Sequence, residues 1–343
     1  MIRHRLERMC SLVNSDALAK SQRSARGGDV GAFVRGYFLA LESRGIAAAA
    51  LHGWAGGFDR DLSDVDLVMS PEGFAWIAEG VQRYAAACGW RLCQVLRHES
   101  TAAFCVCSWS GDPARVVALD GCSDYRRRER VLLPAEELLG DRVRLEWGGY
   151  RLGAASELRY RFLKAAVKGK NAHELAPALA AYPEEARADL AGWLRERWRV
   201  ELGGWDAPGI ARAWEALGPR TLRERIDGRG AALRRIAWRV TRPTGLVLAT
   251  ANAHQAAAVA EAFGRLYFRR TASVDRFRCG AWRQLVASTL LCCGHVGHRW
   301  RVLLGRDMLV DAAAGEEPVD LVARITALLE ARCARRERLG GGN

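Results

Sequence analysis

Several features that would define common protein classes are scarce or missing in this 343-residue chain. The longest apolar run, near residues 285–293, is too short to cross a bilayer, and the first residues lack the apolar centre of a signal peptide. Ten cysteines show no repeated Cys-x-x-Cys framework, which excludes a disulfide scaffold and a zinc ribbon. We therefore predict a cytoplasmic protein with free thiols and no membrane span.

Lysine is also scarce, because only four of the 52 basic residues are lysine and the others are arginine. Residues 1–150 hold 19 basic and 19 acidic residues, whereas residues 151–343 hold 33 and 20, so the second half carries the whole net charge of +13. A basic surface can attract a nucleic acid, a nucleotide sugar or an acidic glycan. Without a recognisable nucleic-acid-binding fold, a nucleic-acid partner is the weakest of these interpretations.

A phosphate-binding loop is missing where the pattern strand, loop, helix would place one. Residues 246–250 predict a strand and residues 256–263 predict a helix. The loop between them has no glycine, no lysine and no hydroxyl after Thr250. A P-loop needs all three to enclose phosphates and hold Mg²⁺. This segment therefore cannot bind phosphate in the usual P-loop manner.

The most informative residues that are present are two acids on a predicted strand. Residues 64–69 alternate between polar and apolar, so Asp64 and Asp66 point to one face while their apolar neighbours point into the core. Two carboxylates on one face repel each other unless a cation lies between them. Mg²⁺ is a hard cation that prefers oxygen ligands, and one or two such ions would suit this pair.

A third acid is expected on a neighbouring strand. Residues 102–109 and 115–120 flank a turn cluster over 110–113, which predicts an antiparallel hairpin that returns Asp120 toward Asp64 and Asp66. These three aspartates are the predicted catalytic residues and the predicted metal ligands. The alternative interpretation is that Ser63 and Asp64 cap a helix and Asp120 is an ordinary turn residue.

Around these acids the chain resembles the nucleotidyltransferase superfamily, over roughly residues 30–140. The resemblance rests on Leu51-His52-Gly53, Ser63-Asp64-Val65-Asp66 and the stretch from Leu119-Asp120 to Arg127. More closely, these residues resemble a bacterial family often labelled thymidylate-kinase-like. Its members join a nucleotidyltransferase-like domain to a P-loop kinase-like domain and are associated with polysaccharide biosynthesis.

The resemblance implies a nucleotide site that includes Gly53, Trp54 and Ser63. A glycine at the end of the predicted strand over residues 46–52 lets backbone N–H groups approach a triphosphate. Trp54 stands where the superfamily usually has serine or glycine in contact with the phosphates. A tryptophan there would close the nucleotide pocket or stack on a base.

The predicted fold class is α/β: a nucleotidyltransferase-like mixed sheet with helices, followed by a helical segment and a small, degenerate P-loop-like α/β domain. Helices are expected over residues 30–44, 71–88, 157–168, 183–202, 208–217, 221–240 and 319–335. The predicted divisions are an N-terminal extension (1–29), a nucleotidyltransferase-like domain (30–150), a basic helical segment (151–243), a degenerate kinase-like domain (244–338) and a tail (339–343).

Two further groups of residues have competing interpretations. Lys164, Lys168 and Lys170 could contact phosphates, although a solvated helix face is the preferred interpretation. The stretch from Cys292 to His298 holds four potential zinc ligands, but adjacent cysteines rarely bind one ion together. We expect packing within a helix over residues 284–304 instead.

The function predicted from the sequence is a Mg²⁺-dependent nucleotidyltransferase that transfers a nucleoside monophosphate from an NTP to an unknown small-molecule, glycan or protein acceptor. Asp64 and Asp66 would bind the metal, and Asp120 would complete the site. The alternative is a non-catalytic scaffold or binding protein in a glycan-biosynthesis pathway, which Trp54 and the missing P-loop residues favour.

Overall fold

The computed structural model of the chain describes residues 16–51, 64–127, 129–217, 222–241, 245–263, 270–277, 285 and 289–340. Within these ranges the protein is α/β, with one mixed sheet, one parallel sheet and a group of helices between them in the chain. Among the described helices, none combines the length and the apolar character needed to cross a bilayer.

The first half of the chain forms a mixed, seven-stranded sheet with helices. Its helices are α1 (residues 16–26), α2 (Val30–Ser43), α3 (Pro71–Ala75), α4 (Ile77–Ala87) and α5 (Ala135–Leu139). Its strands are β1 (Ala48–Ala50), β2 (Val65–Met69), β3 (Trp90–Glu99), β4 (Ala102–Trp109), β5 (Asp112–Cys122), β8 (Val143–Arg144) and β9 (Tyr150–Arg151). Strands β6 (Asp124–Arg127) and β7 (Arg130–Pro134) form a separate hairpin.

The strand order in this sheet is β3-β4-β5-β2-β1-β9-β8. The predicted hairpin is confirmed, since β4 and β5 pair antiparallel. Strand β5 then pairs parallel with β2, and β2 pairs antiparallel with β1. This order places the predicted acidic strand β2 in the middle of the sheet, next to the strand that carries Asp120.

The helix predicted over residues 71–88 is two helices, because the chain breaks at Trp76. Ser70 caps α3 by accepting a hydrogen bond from the Gly73 N–H at 3.3 Å. The Trp76 ring then packs over Gly80, where an added Cβ would lie 2.4 Å from the ring. A residue larger than glycine at position 80 would displace the ring, so this packing of Trp76 requires glycine there.

The middle of the chain is helical, as predicted. Helix α6 ends at Gly169, whose φ of +62° is the left-handed conformation that glycine adopts most easily. The helix expected over residues 183–202 stops earlier, because one π-helical turn over Leu194–Trp198 leads to Arg199 with a φ of +56°. The helices are α6 (Ala154–Lys168), α7 (Ala172–Ala180), α8 (Glu184–Trp193), α9 (Ala207–Ala216) and α10 (Leu222–Thr241).

The last part of the chain, residues 245–340, is called the C-terminal domain below. Its elements are β10 (Leu246–Ala249), α11 (Ala253–Phe263), β11 (Arg270–Arg276), β12 (Thr289–His295), α12 (His298–Met308), β13 (Leu309–Asp311) and α13 (Pro318–Gly340). All the pairings in its sheet are parallel, and the order is β11-β12-β10-β13. Strand β10, which precedes the loop without P-loop residues, lies between β12 and β13.

The helix predicted over residues 284–304 is wrong for residues 289–295, which form strand β12. A parallel strand covered on both faces reads as an unbroken apolar run rather than an alternating one. Cys292 and Cys293 pack into different apolar clusters on opposite faces of the sheet. Their side chains therefore point away from each other, and they cannot bind one metal ion together.

Different elements pack against the two faces of the seven-stranded sheet. One face packs against α2 and α4 through residues such as Leu67 and Leu119. On the other face, the C-terminal domain covers Val106 and Ala118, while α5 and α6 cover Val68. The predicted acidic residues lie on this second face, between the part that packs against the C-terminal domain and the part that packs against α5 and α6.

Candidate active site

Asp66 and Asp120 are direct neighbours on parallel strands. In the register of β2 and β5, Asp66 lies opposite Asp120, as Val65 lies opposite Leu119. Neighbouring strands are about 4.8 Å apart, and paired residues of parallel strands point to the same face. Asp64 immediately precedes β2 and lies two residues before Asp66. The fold therefore brings the three predicted acids together at the start of β2 and near the end of the neighbouring strand β5.

These acids line a cavity of about 390 Å³ on the second face of the sheet. The cavity is rich in both signs of charge, since five carboxylates and four basic side chains contribute to its wall. Its lining consists of Leu51, Asp64, Asp66, Glu99, Ala102, Asp120, Cys122, Asp124, Tyr125, Arg126, Arg127, Tyr160, Lys164 and Lys168. Such a wall suits a polar, charged ligand rather than an apolar one.

Helix α6 forms the basic wall of the cavity. Tyr160, Lys164 and Lys168 follow each other at intervals of four residues, so they lie on one face of the helix. Lys164 Nζ donates a hydrogen bond to Asp66 Oδ2 at 3.0 Å, and the same Nζ lies 5.0 Å from the centroid of the Tyr160 ring. The side chains of this ion pair are only 23% and 19% exposed. A cation from the helix thus directly neutralises one of the predicted metal ligands.

The interpretation of the three lysines as a solvated helix face is therefore wrong for Lys164. It fits Lys170, which is exposed and does not line the cavity. Lys168 combines both properties, because it is exposed to solvent and its side chain also lines the cavity. Partial burial lowers the pKa of Lys168, and the positive charge of Lys164 lowers it further. An anion bound between the two lysines would relieve this repulsion.

The carboxylates create a negative potential around Tyr160 and Cys122 in the wall of the cavity. Burial raises the pKa of the Tyr160 phenol, and the negative charges of Asp66 and Asp120 raise it further. Burial and the same two acids also raise the pKa of the Cys122 thiol. Tyr160 consequently keeps its proton near neutral pH and can act as a hydrogen-bond donor.

A buried ion network holds the rim of the cavity on the β6–β7 hairpin. Arg126 Nε donates to Asp124 Oδ1 at 2.7 Å, and Arg126 Nη1 donates to Glu129 Oε2 at 3.1 Å. Thr101 Oγ1 also donates to Asp124 Oδ1 at 2.6 Å. Two carboxylates already engage Arg126, which therefore fixes the rim, whereas the neighbouring Arg127 is exposed and lines the cavity.

Only part of this site was predicted from the sequence. The resemblance included Asp124 and the arginines after it but assigned them no role, and the pairing of Lys164 with Asp66 was missed. A sequence signal for the lysines did exist, because three of the four lysines in an arginine-rich chain lie within residues 164–170. Gly53, Trp54 and Ser63, the predicted nucleotide-binding residues, lie outside the described residues.

The donor chemistry of the three aspartates suits Mg²⁺, because carboxylate oxygens are its usual protein ligands. The positions of their side chains, however, do not form a ready metal site. Within the part of the chain that the structure describes, no group of three or more His, Cys, Asp or Glu side chains is arranged to hold a metal ion. Asp66 is instead balanced by Lys164, so a metal ion that bound here would compete with this ammonium group.

Comparison of the chain with protein-family models, with curated proteins and with solved structures found no match.

Proposed function

We propose that the protein is a Mg²⁺-dependent nucleotidyltransferase that transfers a nucleoside monophosphate from an NTP to an acceptor. The observation that carries this proposal is the register of β2 and β5, which sets Asp66 beside Asp120 in a cavity that α6 lines with lysines. Carboxylates beside basic side chains form the combination needed to hold a polyphosphate through cations on both sides.

Each group has a role in this reaction. An acceptor oxygen attacks the α-phosphorus of the NTP, the bond from that phosphorus to the bridging oxygen breaks, and pyrophosphate leaves. Asp120 accepts the proton of the acceptor hydroxyl, and Tyr160 donates a hydrogen bond to a phosphate oxygen. Lys164, Lys168 and Arg127 balance the negative charge of the phosphates.

Mg²⁺ bound by Asp64, Asp66 and Asp120 would stabilise the charge on the transferred phosphate and orient the acceptor oxygen. Entry of the metal and the nucleotide together would redirect Lys164 from Asp66 to a phosphate. The ion pair of Lys164 and Asp66 keeps the two charges compensated until that exchange. We therefore propose that metal and nucleotide bind cooperatively.

The proposal places the reaction in the cytoplasm. The eight cysteines that the structure describes are all buried and form no disulfide bond, which fits the thiols of a reducing compartment. They are Cys88, Cys93, Cys105, Cys107, Cys122, Cys292, Cys293 and Cys333.

The second candidate function is a non-catalytic scaffold or binding protein, and one observation in the C-terminal domain favours it. The loop after β10 is closed by its own hydrogen bonds: Thr250 Oγ1 donates to Gln255 Oε1 at 2.7 Å. Gln255 is 2% exposed, and its Nε2 donates to the carbonyl oxygens of Ala313 and Glu316. Side chains of the protein thus satisfy the groups at the position where a P-loop would receive phosphates.

The experiment that separates the two functions measures the melting temperature with Mg²⁺ and each NTP in turn, together with pyrophosphate release. The variants are Asp66→Asn and Asp120→Asn, and the matched control is Asp112→Asn at the exposed start of the same strand as Asp120. A ligand that binds only the folded state raises the melting temperature.

The expected result is a Mg²⁺-dependent stabilisation by one or more NTPs that both site variants lose and Asp112→Asn keeps. Pyrophosphate release should fall by roughly 100-fold in the site variants, because several kcal/mol of charge stabilisation are removed. The absence of stabilisation by every NTP would overturn the proposal and support the scaffold function.

A further inference from the structure

Helix α10 carries a row of large apolar side chains that face solvent. Leu222, Ile226, Leu233 and Ile236 are 74%, 58%, 67% and 54% exposed. At 100° per residue these four side chains fall within an arc of about 80°, so they form one continuous stripe along the helix. A helix of twenty residues extends about 30 Å, and the stripe covers most of that length. Its position on one face distinguishes it from isolated apolar residues, which are common on protein surfaces.

The opposite face of α10 is attached to the protein. Glu224 Oε1 lies 3.2 Å from Arg130 Nε of strand β7, and the Arg130 guanidinium lies 4.7 Å from the centroid of the Trp198 ring. On the same side of the helix, Gly228 is buried and Ala231 is only 5% exposed. This face of small residues packs against the protein, so the apolar stripe on the opposite face of the helix points into solvent.

The charges of α10 border the stripe on both sides. The helix has six arginines and two acids. By the same helical geometry, Arg223 and Arg234 lie on one flank of the stripe and Arg225 lies on the other, while Arg229 lies within it. Both acids lie off the stripe. Glu224 pairs with Arg130, and Asp227 lies 4.0 Å from Arg223.

We propose that α10 docks the protein onto the surface of an anionic lipid bilayer. The helix would lie in the plane of the interface, with the apolar stripe at the boundary of the acyl chains and the flanking arginines at the phosphates of the headgroups. Arg229 has a long apolar stem that lets its charged end reach the same level. Such a helix lies on a bilayer rather than across it.

Charge complementarity selects this occupant over others. A nucleic acid would engage the arginines but leave the apolar stripe in water. A second copy of the chain would place one arginine-rich flank against another, which is repulsive. An anionic bilayer removes the apolar stripe from water and also pairs the arginines on both flanks with phosphates. This inference is independent of the proposed nucleotidyltransferase function, because it uses none of the residues of the cavity.

The test is sedimentation of the full chain with vesicles of phosphatidylcholine alone and of phosphatidylcholine mixed with phosphatidylserine. The apolar variant is Leu233→Ser with Ile236→Ser, and the charge variant is Arg223→Gln with Arg234→Gln. The matched control is Val302→Ser with Leu303→Ser, because these two residues of α12 are 70% and 59% exposed outside α10. Circular dichroism and the melting temperature establish that each variant is folded.

Wild type and the α12 control should bind vesicles that contain phosphatidylserine and bind those of phosphatidylcholine alone much more weakly. The apolar variant and the charge variant should each bind at least about tenfold more weakly than wild type, because each loses part of the interfacial contact. Failure of wild type to bind anionic vesicles, or full binding by the folded apolar variant, would overturn the proposal. A dimer in solution that the apolar variant abolishes would also overturn it, since a second copy would then cover the stripe.

Discussion

Lys164 of helix α6 donates a 3.0 Å hydrogen bond to Asp66 of strand β2, and this ion pair joins the basic wall of the cavity to its acidic floor. Both side chains are largely buried, so solvent screens their attraction only partly. The pair therefore contributes to stability as well as to the charge balance of the site.

Replacing Lys164 with alanine should destabilise the metal-free protein by roughly 1–2 kcal/mol, because Asp66 loses its counterion in a partly buried position. Mg²⁺ should then restore more stability to Lys164→Ala than to wild type, since the ion no longer competes with the ammonium group. Urea unfolding with and without Mg²⁺ measures both effects. Lys170→Ala is the control, as Lys170 is exposed and outside the cavity. Equal responses of Lys164→Ala and Lys170→Ala to Mg²⁺ would contradict the assignment of the metal to Asp66.

Replacing Arg126 with alanine should cost about 3–5 kcal/mol of folding stability, because two largely buried carboxylates, Asp124 and Glu129, lose their counterion. The matched variant Arg127→Ala changes the next residue, which is exposed, and should alter stability by less than about 0.5 kcal/mol. It should instead weaken nucleotide binding. Chemical denaturation and nucleotide titration of the two variants distinguish a rim residue from a ligand-binding residue. Similar stabilities for both variants would show that the buried network does not hold the rim.

The lowered pKa of Lys168 predicts the pH dependence of one stability contribution. Between that lowered pKa and the ordinary value of 10.5, the unfolded chain binds more protons at this site than the folded chain does. The cost of keeping Lys168 charged is therefore present at neutral pH and is relieved as pH rises through this window. Lys168→Met should be more stable than wild type at neutral pH, and the difference should shrink toward pH 10.5. Urea unfolding over a pH series, with Lys170→Met as control, tests this; a difference that grows with pH would have the wrong sign.

The contact between the two halves of the chain is also open to test. Leu329 of α13 is fully buried in the cluster that includes Val106 and Ala118 of the first sheet. Leu329→Ala should cost about 2–5 kcal/mol and lower the stability of both halves together. Val319→Ala, in the same helix but 74% exposed, should have little effect. Two separate unfolding transitions, with only one shifted in Leu329→Ala, would show that the halves fold independently.

The parts of the site that the sequence predicted are those that local patterns encode. Alternation over residues 64–69 gave the face of Asp66, and the turn cluster after Trp109 gave the hairpin that returns Asp120. The contact of Lys164 with Asp66 joins residues far apart in the chain, and no local pattern contains it. Strand β12 was missed for a related reason: burial on both faces removes the alternation that identifies a strand.

The stability of the C-terminal domain depends on a surface that it shares with the candidate site. Along β5, Ala118 packs against that domain, Asp120 faces the cavity and Cys122 packs with α6, all on one side of the strand. Removal of residues 245–340 would leave the side chains of Cys93, Val106 and Ala118 facing water, on β3, β4 and β5, the last of which also carries Asp120. A chain that lost this domain would expose its own interior. The domain therefore gives the first sheet structural support even though the loop after β10 lacks the glycine and lysine of a P-loop.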